Sequence, residues 1–228
     1  MDPYQIAIDG PSGSGKSTLA RSLSRILGIL YLDTGAMYRA CGLKAIRMGI
    51  DPKDEPKVTE MLGSLNIDIR FVDGEQHVFL DGGDVSSEIR QPNVSVAASD
   101  ISSLFPVREK MVLMQRKIAG ERSVVLDGRD IGSHVLPEAR FKFFLTADPG
   151  ERAKRRHEEL TLKGMASTYS EVLEGILYRD RQDSSRAFAP LRKMPDAIEI
   201  DTTYNTPEQT LAVILTHLAP VIQETTQS

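Results

Sequence analysis

The sequence predicts an α/β fold, with a parallel β-sheet covered by helices on both faces. Three observations carry this. Short apolar runs alternate with stretches of helical period. The runs at Ser123–Asp127 and Arg140–Thr146 are apolar through most of their length, as strands buried on both faces must be. A Gly/Ser-rich loop, Gly10 to Gly15, joins the first strand to the first helix.

The first strand runs from Tyr4 to Asp9. From Lys16 to about Leu27, Leu19, Leu23, Ile26 and Leu27 recur at helical spacing, and Gly28 stops that helix. A second strand follows at Ile29–Asp33. A second helix spans Thr34–Met48, ended by Gly49 and Pro52. Between about Leu65 and Val85 the period changes to two. Ile67, Ile69 and Phe71, then Val78 and Leu80, flank Asp73-Gly74, which is a hairpin signal and marks a small insert. Two more helical stretches end near Ile118. After the strand at Arg140–Thr146, Asp148-Pro149-Gly150-Glu151 supplies an N-cap, a first-turn proline and a capping acid. Thr168-Tyr169-Ser170-Glu171 opens the next helix in the same way. Ala197–Asp201 is the last strand, and Thr206-Pro207-Glu208-Gln209 caps a final helix running to about Leu218.

Composition narrows the function classes. The 228 residues suit one domain with an insert, since about 150 residues is a usual domain size. Hydrophobic residues at 40% and charged residues at 26% are too apolar for a disordered chain. A net charge of −4 argues against a dedicated nucleic-acid binder. Cys41 is the only cysteine, which excludes an intrachain disulfide or a cysteine zinc cluster and fits a reducing compartment. Met1-Asp2-Pro3-Tyr4 lacks a signal-peptide pattern, and no apolar run approaches the roughly 20 residues that span a bilayer. The expectation is a cytoplasmic protein that does not engage membranes or nucleic acids.

The segment Gly10-Pro11-Ser12-Gly13-Ser14-Gly15-Lys16-Ser17-Thr18 matches G-x-x-x-x-G-K-[ST], between a strand and a helix as that motif requires. The glycines let backbone N–H groups turn inward around phosphate oxygens, and the following helix points its positive end at the same place. Lys16 supplies a point charge to the β/γ-phosphates, and the Ser17 hydroxyl suits Mg²⁺, with Thr18 as an alternative ligand. Val124-Val125-Leu126-Asp127 ends an apolar strand in an acid that can join the outer shell of the metal or cap the next loop. The chain has neither N-K-x-D nor D-x-x-G, which sets it apart from guanine-nucleotide switches.

The arginines suggest a second anionic substrate. Arg129 and Asp130 follow Asp127 at the carboxyl end of a central strand, where open α/β sheets bind ligands. Arg152, Arg155 and Arg156 share a helix face; they either meet an anion or pair with Glu151, Glu158 and Glu159. Arg179, Asp183 and Arg186 lie at i, i+4 and i+7, as a salt-bridge ladder or as guanidiniums oriented toward a phosphate or sugar. Arg39 follows the second strand. So many cations fit phosphoryl transfer between two polyanions, where positioning and charge neutralisation dominate. An alcohol acceptor would instead need a base, for which Asp33 and Asp130 are the candidates. A nucleotide-binding regulatory ATPase is a further alternative. His77, His134, His157 and His217 are scattered and form no catalytic set.

The stretches I-D-G-P-S-G-S-G-K-S-T, L-D-T-G-A-M-Y-R, V-L-D-G-R-D-I-G and Y-R-D-R-Q-D-S-S-R-A-F-A-P-L together resemble bacterial cytidylate kinase, from Ile8 to the final helix. The resemblance implies a P-loop nucleoside-monophosphate-kinase fold and the reaction of ATP with CMP or dCMP to give ADP and CDP or dCDP. It also implies Mg²⁺ with ATP, and a monomer. A single domain over 1–228 is expected, with a core at about 1–35, 120–150 and 187–228, an NMP-binding part with its β insert at about 36–119, and a lid at about 151–168. Carried over residue by residue, Arg39, Arg129 and Arg186 would hold the acceptor phosphate. Ser99 (with Asp100 as a neighbouring alternative), Arg108 and Asp130 would read the cytosine edge. Arg179 and Asp183 would hold the sugar, Thr34 and Tyr38 would line the site, and Arg152, Arg155 and Arg156 would be lid arginines near the ATP phosphates. The base pattern is chemically apt, because cytosine offers an N4 donor to a carboxylate and an O2/N3 acceptor edge to an arginine.

Overall fold

A computed structural model of the chain describes residues 3–72 and 75–219. Five strands form one parallel sheet: β1 (Gln5–Asp9), β2 (Leu30–Asp33), β6 (Val124–Gly128), β7 (Phe141–Thr146) and β8 (Ile198–Asp201), in the order β2-β6-β1-β7-β8. Side chains of a strand alternate between faces, so two cores result. Ile6, Ile8, Val125, Phe143 and Leu145 pack with Leu19 and Leu23 of helix α1 (Lys16–Leu27) and Ile214 of helix α8 (Pro207–His217). Ala7, Val124 and Leu126 face the other way, onto helices α2 (Thr34–Arg47) and α5 (Phe105–Ala119) through Met37 and Met111. The apolar strands predicted from the sequence are apolar because both of their faces are covered.

Between α2 and β6 lies the insert. Helix α3 (Glu55–Leu62) leads to a three-stranded antiparallel sheet of β3 (Ile67–Val72), β4 (Glu75–Leu80) and β5 (Gly83–Asp84), and then to helix α4 (Pro92–Ile101) and α5. The β3–β4 register confirms the predicted hairpin, while its Asp73-Gly74 turn lies outside the described residues. Helix α3 was not expected; its start is marked by Asp54, whose carboxylate caps Lys57 N–H, with Pro56 in the first turn. A single π turn at Ile131–Val135 after β6 was also not anticipated.

The predicted caps are present. Asp148 accepts from the Gly150 and Glu151 amides at the start of helix α6 (Pro149–Leu162), and Thr168 and Thr206 form capping boxes with Glu171 and Gln209 on helix α7 (Tyr169–Ser185) and α8. Each such cap contributes about 1 kcal/mol. Helix α6 therefore starts just past the carboxyl end of β7, and α7 brings Asp183 in its last turn to Arg129 beyond the carboxyl end of β6, which is where the site forms. Among the described residues, no helix is long and apolar enough to cross a membrane.

Candidate active site

The Gly10–Gly15 loop leaves β1 and enters α1 with Gly10, Gly13 and Gly15 at φ of +148°, +78° and +88°. At Gly10 a Cβ would lie 2.1 Å from the Leu145 carbonyl oxygen, so only glycine fits. Gly15 occupies the N-cap of α1 without a side-chain cap, which leaves the first-turn amides available to an anion. Lys16 is buried and curls back over the loop, its Nζ donating to the Pro11 carbonyl at 2.6 Å. Ser14 Oγ donates to the same carbonyl at 3.0 Å. Burial, reinforced by nearby Arg129, pulls the Lys16 amine down to about 7 against the attraction of Asp127, Asp183 and Asp9.

Ser17 Oγ donates to Asp127 Oδ2 at 2.7 Å, and Tyr31 Oη donates to Asp127 Oδ1 at 3.1 Å. Thr34 Oγ1 donates to the Asp127 carbonyl at 2.7 Å, so this hydroxyl anchors the end of β6. Burial, together with neighbouring Asp33, raises the Asp127 carboxyl. The Ser17–Asp127 pair presents the hard oxygens that Mg²⁺ prefers. Among the described residues, no cluster of three or more His, Cys, Asp or Glu could cage a metal.

A cleft of about 930 Å³ opens above the loop. Ser12 to Thr18 line its floor, and Arg39, Arg152, Arg155, Arg156 and Arg179 line its walls. The arginines are not equivalent. Arg152 is 2% exposed and donates to the carbonyls of Ala147 and Ser12 and to the Asp180 carboxylate. Arg155 donates to the Thr202 and Thr203 carbonyls, and Arg156 pairs with Glu159. Of the three glutamates weighed as partners for this face, Glu159 takes that role for Arg156. Arg179 reaches Ser12 Oγ at 3.5 Å; burial and the nearby Arg129 and Arg156 lower its guanidinium to about 10.

A second, buried network adjoins the cleft. Asp183 accepts from Arg129 Nε at 2.6 Å and pairs closely with Arg186, which also donates to Ser102 Oγ at 2.7 Å. Burial would raise Asp183, yet Arg129 and Arg186 outweigh it and hold the carboxyl below the ordinary range. Arg108 and Asp130 form a buried ion pair; Arg108 also donates to the Ser102 carbonyl at 3.1 Å and lies 5.6 Å from the centre of the Tyr38 ring. Arg39 pairs with Asp33 at 2.8 Å. Asp100 is taken by Tyr178 Oη at 2.6 Å, whereas Ser99 Oγ is buried and unpartnered.

The unpartnered atoms are informative. Eight buried side-chain polar atoms lack a hydrogen-bond partner among the described residues, and five belong to the predicted acceptor set: Tyr38 Oη, Arg39 Nε, Ser99 Oγ, Arg108 Nε and Arg186 Nε. Each orphan costs about 1–3 kcal/mol. Their concentration in one place is what a ligand-binding site looks like.

Two further residues, Asp9 and Gln76, hold the backbone around the site and carry no local sequence signal. Asp9, at the end of β1, accepts from the Ile131 and Gly132 amides at 2.8 Å each and so pins the π turn behind Arg129 and Asp130. Burial pushes its carboxyl up to about 6. Gln76 of the insert holds both the Asp33 amide (2.7 Å) and the Asp33 carbonyl (3.3 Å). The four histidines stay outside these networks, His77 beside Asp84, His134 against Phe188, His157 by Ser167 and His217 near Phe143.

A family model described as cytidylate kinase matches residues 6–219. The chain belongs to the cytidylate kinase family. It is 52% identical over 215 residues to a cytidylate kinase of Caldicellulosiruptor bescii, covering 94% of this chain and 95% of that one. It is 53% identical over 205 residues to a cytidylate kinase of Caldanaerobacter subterraneus subsp. tengcongensis, covering 90% of each, and 46% identical over 218 residues to one of Clostridioides difficile, covering 96% and 99%. Among solved structures, a gluconokinase from Sinorhizobium meliloti aligns at a TM-score of 0.51 and 14% identity, over 97% of this chain and 95% of that one. That likeness concerns the fold, a P-loop kinase architecture. In this cytidylate kinase family member the phosphate loop and the arginine network meet at the carboxyl edge of the sheet, around α7.

Proposed function

We propose that the chain transfers the γ-phosphoryl group of Mg-ATP to CMP or dCMP, releasing ADP and CDP or dCDP. The observation that carries this reading is the group of orphaned polar atoms on Tyr38, Ser99, Arg108 and Arg186 gathered around Ser102, with a further one on Arg39, which lines the same cleft as a loop whose helix amides are uncapped.

On the donor side, the loop amides and Lys16 hold the ATP phosphates, and Arg155 and Arg156 add positive charge from the cleft wall. Ser17 would ligate Mg²⁺ directly, with Asp127 in its outer shell; the ion supplies charge neutralisation of the phosphates. On the acceptor side, Arg39, Arg129 and Arg186 take the CMP phosphate. Arg179 and Asp183 take the sugar, Tyr38 packs beside it, and Thr34 fixes the strand end below. Ser99, Arg108 and Asp130 read the base. A phosphate acceptor is already an anion and needs no strong base. Consistent with this, Asp33 is held by Arg39 and Asp130 by Arg108, so neither carboxylate is set up to deprotonate an alcohol.

The working division has a core at about 1–35, 120–150 and 187–228, an acceptor part with its insert at 36–119, and a lid at 151–168 that closes to keep water from competing as acceptor; residues 1–2, 73–74 and 220–228 of these ranges lie outside the described residues. The family resemblance favours a monomer as the working unit. The single cysteine supports a cytoplasmic setting, and the acceptor supports a place in pyrimidine nucleotide metabolism. The test is ADP release from Mg-ATP with AMP, CMP, GMP, UMP or dTMP against a control without acceptor. Strong stimulation by CMP is expected; release that no monophosphate stimulates contradicts the reading.

A further inference from the structure

The α6 arginine nearest the phosphate loop is already engaged. An arginine has five N–H donors, and Arg152 uses four of them on the protein. Nε donates to the Ala147 carbonyl at 2.9 Å. Nη1 donates to the Ser12 carbonyl at 2.9 Å and to Asp180 Oδ1 at 3.1 Å, and Nη2 donates to Asp180 Oδ2 at 2.6 Å. With the residue 2% exposed, the guanidinium is built in, like a strut. Its forked, two-bond grip on Asp180 fixes orientation as well as distance. The loop in turn is fitted to it, since a Cβ on Gly13 would stand 3.2 Å from Arg152 Cβ.

Asp180 stands on α7, next to Arg179 and one turn before Asp183. Arg179 reaches the hydroxyl of the same Ser12 whose carbonyl Arg152 holds. Ser12 therefore meets α7 twice, by a long contact from Arg179 to its hydroxyl and, firmly, through Arg152 on its carbonyl. We infer that Asp180 is a positioning residue that couples the phosphate loop to the acceptor-binding helix, acting through Arg152 on Ser12. The inference rests on the assignment of the loop to ATP and of Arg179 and Asp183 to CMP.

The coupling has a simple physical basis. When α7 settles on the acceptor, the Asp180 carboxylate moves with it. The rigid Arg152 fork carries that displacement to the Ser12 peptide, and so to the loop amides that face the phosphates. By linkage the effect is reciprocal, so ATP bound in the loop favours the α7 position that binds CMP. Without the carboxylate, Arg152 is left with a buried charge that lacks its counter-ion, and the connection is broken.

The test is calorimetric binding of CMP and of a non-hydrolysable ATP analogue, each alone and each with the other present, to wild type and Asp180→Asn. The amide keeps the shape and removes the charge. In wild type each ligand should tighten the other by about fivefold or more, the lower end of ordinary allosteric coupling. In D180N this mutual tightening should fall to about unity, while CMP alone binds within about twofold of wild type. A purely structural role would lower the melting temperature or weaken both ligands alike without abolishing the coupling. That result overturns the inference, as does wild type that shows no coupling. Arg152→Lys retains a buried charge but loses the fork and should reproduce the loss. It decides the question if D180N does not fold, and wild-type coupling in R152K contradicts the proposal. Wild type that CMP does not stimulate to release ADP would instead remove the kinase assignment, a separate failure.

Discussion

Ser17 donates its hydroxyl to Asp127 at 2.7 Å, and this bond ties the first turn of α1 to the end of β6. Tyr31 donates to the other carboxylate oxygen at 3.1 Å, so Asp127 is fixed on both sides. The oxygen pair is therefore held in place by the fold itself, and the cost of ordering it is met during folding.

Asp127→Asn should leave the fold intact and weaken the response to metal. Hydrogen bonds to charged groups contribute about 1.5–3 kcal/mol, or roughly ten- to a hundredfold in kcat/KM. A Mg²⁺ titration at fixed ATP should show a higher half-saturation in the variant. An unchanged Mg²⁺ dependence would remove Asp127 from the metal shell.

ATP binding should take up a proton at mildly alkaline pH. Burial lowers Lys16 to about 7, so at pH 8 the amine of the ligand-free chain is largely neutral. Phosphate oxygens favour the ammonium form and raise that value, so the bound state holds a proton that the free state lacks. At pH 6 Lys16 is mostly protonated in both states, so its contribution to the uptake falls away. Calorimetry at pH 8 in buffers of different ionisation enthalpy measures this directly, and a binding heat independent of buffer contradicts it.

Base choice should depend on Asp130. As a carboxylate it only accepts, which matches the amino group of cytosine, whereas an amide can also donate and so tolerates uracil. Asp130→Asn should narrow the ratio of kcat/KM for CMP over UMP, and an unaltered ratio would exclude Asp130 from base reading. Asp130→Ala also strips Arg108 of its buried counter-ion and should cost about 3–5 kcal/mol of stability by urea titration.

Cys41 lies fully buried on α2, and burial pushes its thiol up to about 12. A disulfide reagent at pH 8 should therefore label the native protein far more slowly than protein in denaturant, because only a thiolate reacts. Equal rates would mean that α2 opens readily. Added CMP should slow labelling further, since α2 also carries Tyr38 and Arg39.

Much of this could be read from the sequence because the signals are local. Gly10, Gly13 and Gly15 announce the loop through a backbone that only glycine adopts easily, and Asp148, Thr168 and Thr206 announce their helices through bonds spanning two or three residues. Arg179 and Asp183 lie one turn apart on α7, as their spacing suggests, but Arg186 is the extended residue just past the helix, and Asp183 pairs with it and with Arg129 rather than with Arg179. What stayed hidden depends on distant partners. Asp9 holds amides 122 and 123 residues away, Gln76 reaches 43 residues back to Asp33, and Arg152 finds Asp180 across 28 residues. No periodicity encodes such pairs. They arise when the sheet order brings the end of β1 beside β6, and when α6 packs against α7. Arg152, which the motif resemblance expects near the ATP phosphates, lies beside the loop with four of its five donors on protein acceptors.

The most direct test of the central claim is product analysis of one reaction containing Mg-ATP, CMP and UMP at equal acceptor concentrations. CDP should form in step with ADP, one for one, and run well ahead of UDP. ADP formed without CDP, or UDP keeping pace with CDP, would contradict it.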